Sequence, residues 1–459
     1  MSSTRTTGPG EHERAVAALR EQYAALPPGA AVRLGKRTSN LFRFRPPAAG
    51  PRLDVSRFDQ VLDVDPVART ADVQGMVTYE KLVAAPLPYG LMPLVVPQLK
   101  TITLGGAVVG LGIESSSFRN GLPHESVREM EILTGDGRVV VARPEGEHAD
   151  LFAAFPNSYG TLGYALRLRI DLAPVAPYVR LRHLRFTEAR ECAAAMADIC
   201  ASATCDGQPV DFVDGTVFGP DELYLTLGTF TDEAPAVSDY TGMDIYYRSV
   251  RRRDVDHLTV ADYLWRWDTD WFWCSRAFGV QHPLVRRVWP RRWRRSDVYR
   301  RLVALDRRWR VSERVDRWRG HPPREAVIQD VEVPVARMAE FLDFFHAEVG
   351  ISPIWLCPLR LRAEHPWPLY PLAPGELYVN VGFWSTVPLR PGQAPDHHNR
   401  RVEQVVGELG GHKSLYSTVH YPEDEFWRRY DGEAYAKVKQ SYDPDARLPD
   451  LYTKCVRQG

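Results

Sequence analysis

At 459 residues the chain exceeds the roughly 250–300 residues at which one hydrophobic core stops growing, so two domains are expected. Hydrophobic residues at 44% and charged residues at 25% are ordinary for a globular protein. Basic and acidic residues balance at 58 each, so no whole-chain field points to nucleic acid.

From His12 to Leu26, Ala15, Ala18, Leu19 and Tyr23 recur near helical spacing and predict a helix that Pro27-Pro28 ends. Short strands are expected at Ala31–Leu34 and Arg52–Val55, with the polar segment Gly35–Asn40 between them. Two more, Val61–Val64 and Thr70–Gln74, flank an Asp65-Pro66 turn. A short helix follows over Tyr79–Ala85, then the proline-rich Leu91–Gln98, which reads as extended. Val127–Leu133 and Arg138–Ala142 flank Gly135-Asp136-Gly137, a hairpin signal, and Asp150–Phe155 reads as a helical turn. Tyr164–Ala173 partly alternates apolar and polar residues, as a strand does. Beyond Pro177, strand-like pieces (Val179–Phe186, Leu223–Phe230, Val327–Val333, Leu377–Phe383) alternate with helices (Glu188–Cys200, Val335–Glu348). This is α+β patterning and marks a second domain. The tail, Tyr416 to Val456, is helical and aromatic, and is expected to return to the first domain.

The six Cys show no pairing pattern, and Cys192, Cys200 and Cys205 match no zinc-ligand spacing, so free thiols in a reducing cytoplasm are expected. Met1 to Glu13 is polar with no apolar signal core, and no run approaches the roughly 18 apolar residues of a membrane span. A soluble cytoplasmic protein, or one peripheral on the inner face of the membrane, is the expectation.

The most informative stretch is Thr103-Leu-Gly-Gly-Ala-Val-Val-Gly-Leu-Gly-Ile-Glu-Ser115. Gly105, Gly106, Gly110 and Gly112 imply a backbone that bends or lets something approach closely. The dinucleotide fingerprint needs three spaced glycines between strand and helix, and Gly110-Leu-Gly112 supplies only the first two. The following Ser-Ser-Phe-Arg-Asn-Gly121 does not read as a helix start, so a Rossmann site is not expected, and no phosphate-loop motif occurs. Standing alone, the segment leaves a tight structural loop as the alternative.

Its surroundings add to it. The order of an apolar Pro segment, Thr103-Leu-Gly-Gly106, Gly110-Leu-Gly112, Gly121, the hairpin, Asp150-Leu-Phe152 and Gly160-Thr-Leu-Gly163 resembles the FAD-binding domain of the vanillyl-alcohol-oxidase superfamily, the PCMH type. Within it the chain is most similar to the delta-24 sterol reductase family. That likeness rests on Gly112-Ile-Glu-Ser-Ser116, Gln329-Asp330, Pro353-Ile-Trp-Leu-Cys-Pro358, Glu376-Leu-Tyr378, Glu425-Phe-Trp427 and Asp431-Gly432. Arg119 to Val127 further resembles actinobacterial relatives that reduce a 10-methylene fatty acyl chain to its 10-methyl form.

The resemblance implies an α+β, two-domain fold: an FAD-binding domain over 1–175, an α+β cap over 176–410, and a segment 411–459 packing back on the first. It implies FAD cradled by main-chain N–H groups of glycine-rich loops. The residues so implied are Thr103, Gly105, Gly106, Gly110, Gly112, Ile113, Glu114, Ser115, Gly121, Gly160, Thr161 and Gly163. Lys36 and Arg37 are expected to pair with the diphosphate, with Thr38, Ser39 and Asn40 as neutral donors; a solvated basic turn is the alternative. Between His12 and His124 the chain has neither His nor Cys, so no covalent bond to flavin can form at that loop, and dissociable FAD is expected.

Reduction of an isolated alkene needs a hydride from the flavin and a proton from an acid. Resemblance implies NADPH as electron donor and a lipid, a phospholipid acyl chain or a sterol, as substrate. A methyltransferase would supply the methylene intermediate. Tyr416, which matches a Tyr of the sterol reductase family, heads the proton-donor candidates, followed by His420 and Glu114; Asp268, Asp270 and His124 are weaker. His397-His398 reads as a solvated loop. The alternatives are an oxygen-using alcohol or sugar oxidase and a non-catalytic membrane-binding protein with a degenerate flavin fold.

From Arg286 to Arg319, fourteen Arg face four acids and interleave with Trp289, Trp293, Trp309 and Trp318. The composition suits a bilayer headgroup region, or else a solvated helix whose Trp pack inward; nucleic acid is the least expected partner.

Overall fold

The computed structural model describes residues 9–36, 41–43, 51–309, 314, 318 and 320–456. The first helix, Pro9–Ala24, buries Ala15, Leu19 and Tyr23 along one stripe, at the spacing that brings a single face round every turn. That stripe packs on Val32, Leu53, Phe58 and Leu133. The strands expected at 31–34 and 52–55 do not form as such. A single parallel bridge joins Leu34 to Leu53, with Leu53 N donating to Arg33 O at 2.7 Å.

A six-stranded antiparallel sheet follows, from β1 (Val61–Asp65), β2 (Thr70–Gln74), β3 (Leu91–Pro93), β4 (Val127–Leu133), β5 (Val139–Ala142) and β6 (Tyr164–Pro174), in the order β1-β2-β6-β4-β5 with β3 on β6. The β4–β5 hairpin closes at Gly135–Gly137, where Asp136 accepts from Arg138 N and Gly137 takes φ 87°. Strand β6 sits at the centre because Ala165, Leu168 and Ile170 are buried along its length, as a strand covered by neighbours on both edges requires.

The second sheet has eight antiparallel strands: β7 (Tyr178–Phe186), then, after a small hairpin β8 (Thr204–Cys205) and β9 (Gln208–Pro209), β10 (Phe212–Gly219), β11 (Glu222–Thr231), β12 (Val255–Thr259), β13 (Arg324–Pro334), β14 (Ile354–Leu359), β15 (Tyr378–Pro388) and β16 (His412–Lys413). Their order is β12-β7-β11-β10-β14-β15-β13-β16. Helices Ala189–Ser202, Met338–Glu348 and His397–Glu408 cover one face, burying Val327, Val331 and Val333 of β13 with Val379, Val381 and Phe383 of β15. Alternation along each strand turns Asp330 and Glu332, with Asn380 and Gly382, to the opposite face. There the sheet meets a core shared with the N-terminal half.

The chain after Tyr416 forms three helices, Glu423–Arg429, Gly432–Tyr442 and Leu451–Cys455. It bonds to the N-terminal half through Asp136 N to Tyr442 O, Lys439 Nζ to Thr161 O and Val32 N to Arg447 O. Among the described residues no helix is long and apolar enough to cross a membrane. The whole is a mixed α+β architecture in which the N-terminal half with its six-stranded sheet packs on one large antiparallel sheet.

Candidate active site

A cleft of about 470 Å³, open at its mouth, lies between the two halves. Its first wall is made of backbone. Thr103 accepts from Gly106 N through its side chain at 3.2 Å and so caps a short helix, Leu104–Gly110, where the sequence alone suggested only a bend. The helix exists because it is held from outside: Leu104 N donates to Val77 O and Gly105 N to Gly75 O. Gly105 cannot be larger, since a Cβ there would stand 2.8 Å from Gly75 O. Gly106, Gly110, Gly112, Ile113, Gly160 and Gly163 complete this wall with Thr103 and Tyr159. Lys36 enters the same wall, and a Cβ on Gly106 would lie 3.9 Å from its Nζ. Solvent reaches Lys36 through the mouth, yet protein surrounds it, and this burial pulls its pKa below the ordinary lysine value. Arg37, Thr38, Ser39 and Asn40 lie outside the described residues.

The second wall is made of side chains: Phe42, Trp271, Phe272, Trp355, Trp384, Tyr416 and Asp330, with Cys274 and Ser414 beside them. Burial pushes the Cys274 thiol up to about 12, so it stays protonated. Phe42 stacks on Trp271 at 5.7 Å, and its N–H donates to Tyr416 O, which ties the residue-42 loop to the Tyr416 segment. The Tyr416 hydroxyl oxygen accepts from Trp384 Nε1 at 2.9 Å. With that acceptor site occupied, the phenol proton is free to point at Asp330 or into the cleft. Burial holds Tyr416 well above the usual tyrosine pKa, so it stays protonated at any ordinary pH.

Asp330 entered the sequence reading only through the Gln329-Asp330 likeness and was not among the expected site residues. It sits opposite Gly382 across β13–β15, and a Cβ at 382 would come within 2.5 Å of its Oδ1. That oxygen is buried and has no hydrogen-bond partner among the described residues. Burial raises the Asp330 pKa to about 7, against the opposing pull of Asn380, Tyr416 and Lys413. A signal did exist: Asp330 and Glu332 occupy alternate positions of a strand whose other face carries Val327, Val331 and Val333.

Other expected residues are elsewhere. Glu114 and Ser115 do not reach the cleft. Glu114 is buried in an ion-paired cluster: Arg266 Nη2 lies 3.2 Å from its carboxylate and 2.8 Å from that of Asp214. Burial raises the Glu114 pKa and Arg266 opposes the rise. Ser115 Oγ lies 2.7 Å from the Tyr263 hydroxyl in the same cluster. Gly121 packs against Glu125 and Arg362, and Thr161 donates to Ser158 O beneath the wall. His420 is behind β13: its N–H donates to Glu403, its ring is 3.3 Å from Asp396, and burial lowers its pKa to about 4. Asp268 binds Ser296 and Lys100 N, while Asp270 pairs with the buried Arg286 at 2.7 Å. His124 stands edge-on to Trp367 with its pKa lowered to about 3 by burial. His398, expected to be solvated, is buried against Glu325 at 2.8 Å.

The family described as FAD binding domain matches residues 13–143. The delta(24)-sterol reductase of Homo sapiens is 27% identical over 422 residues, covering 86% of this chain and 76% of its own. That of Arabidopsis thaliana is 26% identical over 443 residues, covering 88% and 76%. The decaprenylphosphoryl-beta-D-ribose oxidase of Mycolicibacterium smegmatis is 33% identical over 123 residues, 27% of this chain and 26% of its own. With the cleft, these matches define the class: an FAD-dependent oxidoreductase. Over most of its length the chain is a distant relative of the delta(24)-sterol reductases.

The residues present fit the cofactor. Small residues keep the first wall flat enough for close approach, and the Lys36 ammonium, lacking a carboxylate partner among the described residues, is suited to a diphosphate. Thr103, Gly105, Gly106, Gly110 and Lys36 would hold it from that side.

Proposed function

We propose that the protein reduces an isolated carbon–carbon double bond in a lipid, using non-covalently bound FAD and NADPH. The substrate we favour is a 10-methylene acyl chain of a phospholipid, which becomes the 10-methyl chain, ahead of a sterol side chain. A methyltransferase that builds the methylene would act before it. The observation that carries this reading is the second wall: an aromatic surface whose chemically active groups are Tyr416 and the half-buried Asp330, whose Oδ1 is buried. Bound flavin supplies the hydride. The proton for the other carbon comes from the Tyr416 hydroxyl, which Trp384 orients by donating to its oxygen. Asp330, beside the phenol, returns a proton to the Tyr416 phenolate after each turnover and regains one from solvent through the cleft. Trp271, Phe272 and Trp355 keep water from the developing cationic carbon and offer it ring faces. A sugar substrate, as an oxidase reading would need, finds few amide or carboxylate partners on this wall.

The test is anaerobic. Purified protein is mixed with NADPH, flavin bleaching is followed, and phospholipid bearing methylene-branched chains is then added. Bleaching followed by recovery, with a methyl-branched product by mass spectrometry, supports the reading. Bleaching without recovery removes this substrate and leaves sterols to be tried; no bleaching by NADPH or NADH removes the nicotinamide.

A further inference from the structure

The Arg- and Trp-rich segment divides its arginines into two kinds. Arg286 and Arg294 are buried. Arg286 pairs with Asp270 and donates to Gly242 O at 2.9 Å, and Arg294 donates to the carbonyls of Thr241, Gly242 and Trp289. These bonds clamp the 239–244 loop to the helix Pro283–Val288. A buried, multiply bonded guanidinium is a rigid tie, because each lost bond would leave a desolvated donor.

What the clamp holds outward is apolar. Leu284 and Val288, one helical turn apart, are 72% and 78% exposed; Met243 is 52% and Trp293 46% exposed. Between them stand Arg287, Arg291 and Arg292. Arg291 pairs with Asp239 at 3.1 Å, whereas Arg287 and Arg292 have no ion pair among the described residues. The next helix, Ser296–Trp309, adds Leu305 and Trp309 one turn apart, 52% and 58% exposed, while its Arg301 pairs with Asp297 at 3.2 Å. Exposed aliphatics beside uncompensated cations are costly in water, and one surroundings satisfies both: acyl chains for the first and anionic headgroups for the second.

The patch is tied directly to the cleft. Trp271, Phe272 and Cys274 line the cleft, and Ser275, the next residue, donates to the same Asp270 that pairs with Arg286.

We infer that Met243, Leu284, Val288 and Trp293, with Arg287 and Arg292, form a docking surface for an anionic lipid bilayer. This goes beyond the proposed reaction and is read without turnover. The experiment is flotation of the flavin-loaded protein with vesicles of phosphatidylcholine alone or of equal phosphatidylcholine and phosphatidylglycerol. Wild type should float with the anionic vesicles and release as salt shortens the Debye length from ~10 Å at 0.1 M to ~3 Å at 1 M. The L284S/V288S/W293S variant should lose roughly tenfold or more in partitioning, and R287E/R292E a comparable amount, with flavin content and melting temperature unchanged. Equal flotation of variant and wild type overturns the inference. So does a patch that joins two copies, seen as a dimer that the serine variant dissociates while no vesicle binds, and so does binding to duplex DNA without vesicles. Vesicle binding with no alkene reduction would leave this surface standing and remove the proposed reaction.

Discussion

The two walls of the cleft work by opposite means. On the glycine wall, Thr103 to Gly112, the chain withdraws its side chains and presents backbone; a side chain at 105 would strike Gly75 O. On the aromatic wall, side chains do everything, and glycine appears at 382 only to make room for the Asp330 carboxylate and the Trp384 ring. A cofactor with the same shape in every turnover suits a fixed backbone surface, whereas a proton transfer needs groups with defined pKa values. The first wall should therefore govern cofactor occupancy and the second the fate of the alkene.

The sharpest way to break that division is Tyr416→Phe. Alkene reduction should fall about 10²–10⁴-fold, as for loss of a general acid, while flavin reduction by NADPH keeps its rate in stopped flow. Equal loss in both half-reactions would reject the role. On the other wall, Lys36→Met should weaken FAD binding by about 10–100-fold, the worth of a charge-assisted hydrogen bond, measured by flavin release on dilution. Its turnover per bound flavin should stay near wild type, and a drop there would show the walls are not separable.

A smaller effect sharpens the comparison through pH. Because the Asp330 pKa is raised to about 7, its carboxyl is neutral below that pH and loses its proton above it. Alkene reduction should decline as pH rises through about 7, and Asp330→Asn should be about tenfold slower with that limb gone. Stability follows the same sign. A raised carboxyl contributes fully below the unfolded value of 3.8, and the contribution is lost as pH rises through about 7. Wild-type melting temperature should thus fall relative to Asp330→Asn across that window. The coupled neighbours are Glu332, also raised by burial, and Lys413; a limb that survives in Asp330→Asn belongs to them. The smallest effect is expected at His420, which faces Glu403 and Asp396 rather than the cleft: His420→Gln should change turnover less than about twofold. A large loss would place chemistry behind the sheet.

The sequence carried the glycine wall well, because a main-chain surface announces itself as glycine at close spacing. It also carried β1, β2 and the β4–β5 hairpin, whose local alternation and turn residues agree. It missed β10, where Asp214 and Gly215 interrupt the apolar run. Asp214 is tolerated there because Arg266 and Trp267 Nε1 satisfy it. Glu114 was drawn toward the flavin by its place in the glycine motif; its partner Arg266 is 152 residues away, so nothing local could assign it.

Sequence by itself determined where the backbone must be small, which faces of strands and helices are apolar, and that His or Cys is absent between His12 and His124. These are properties of neighbouring residues and survive without coordinates. Only the tertiary structure decided which acids meet the cleft, which arginines are buried ties and which are free surface cations. Burial and partner charge set those roles, and both come from β13, β15 and the Tyr416 segment meeting across long stretches of chain.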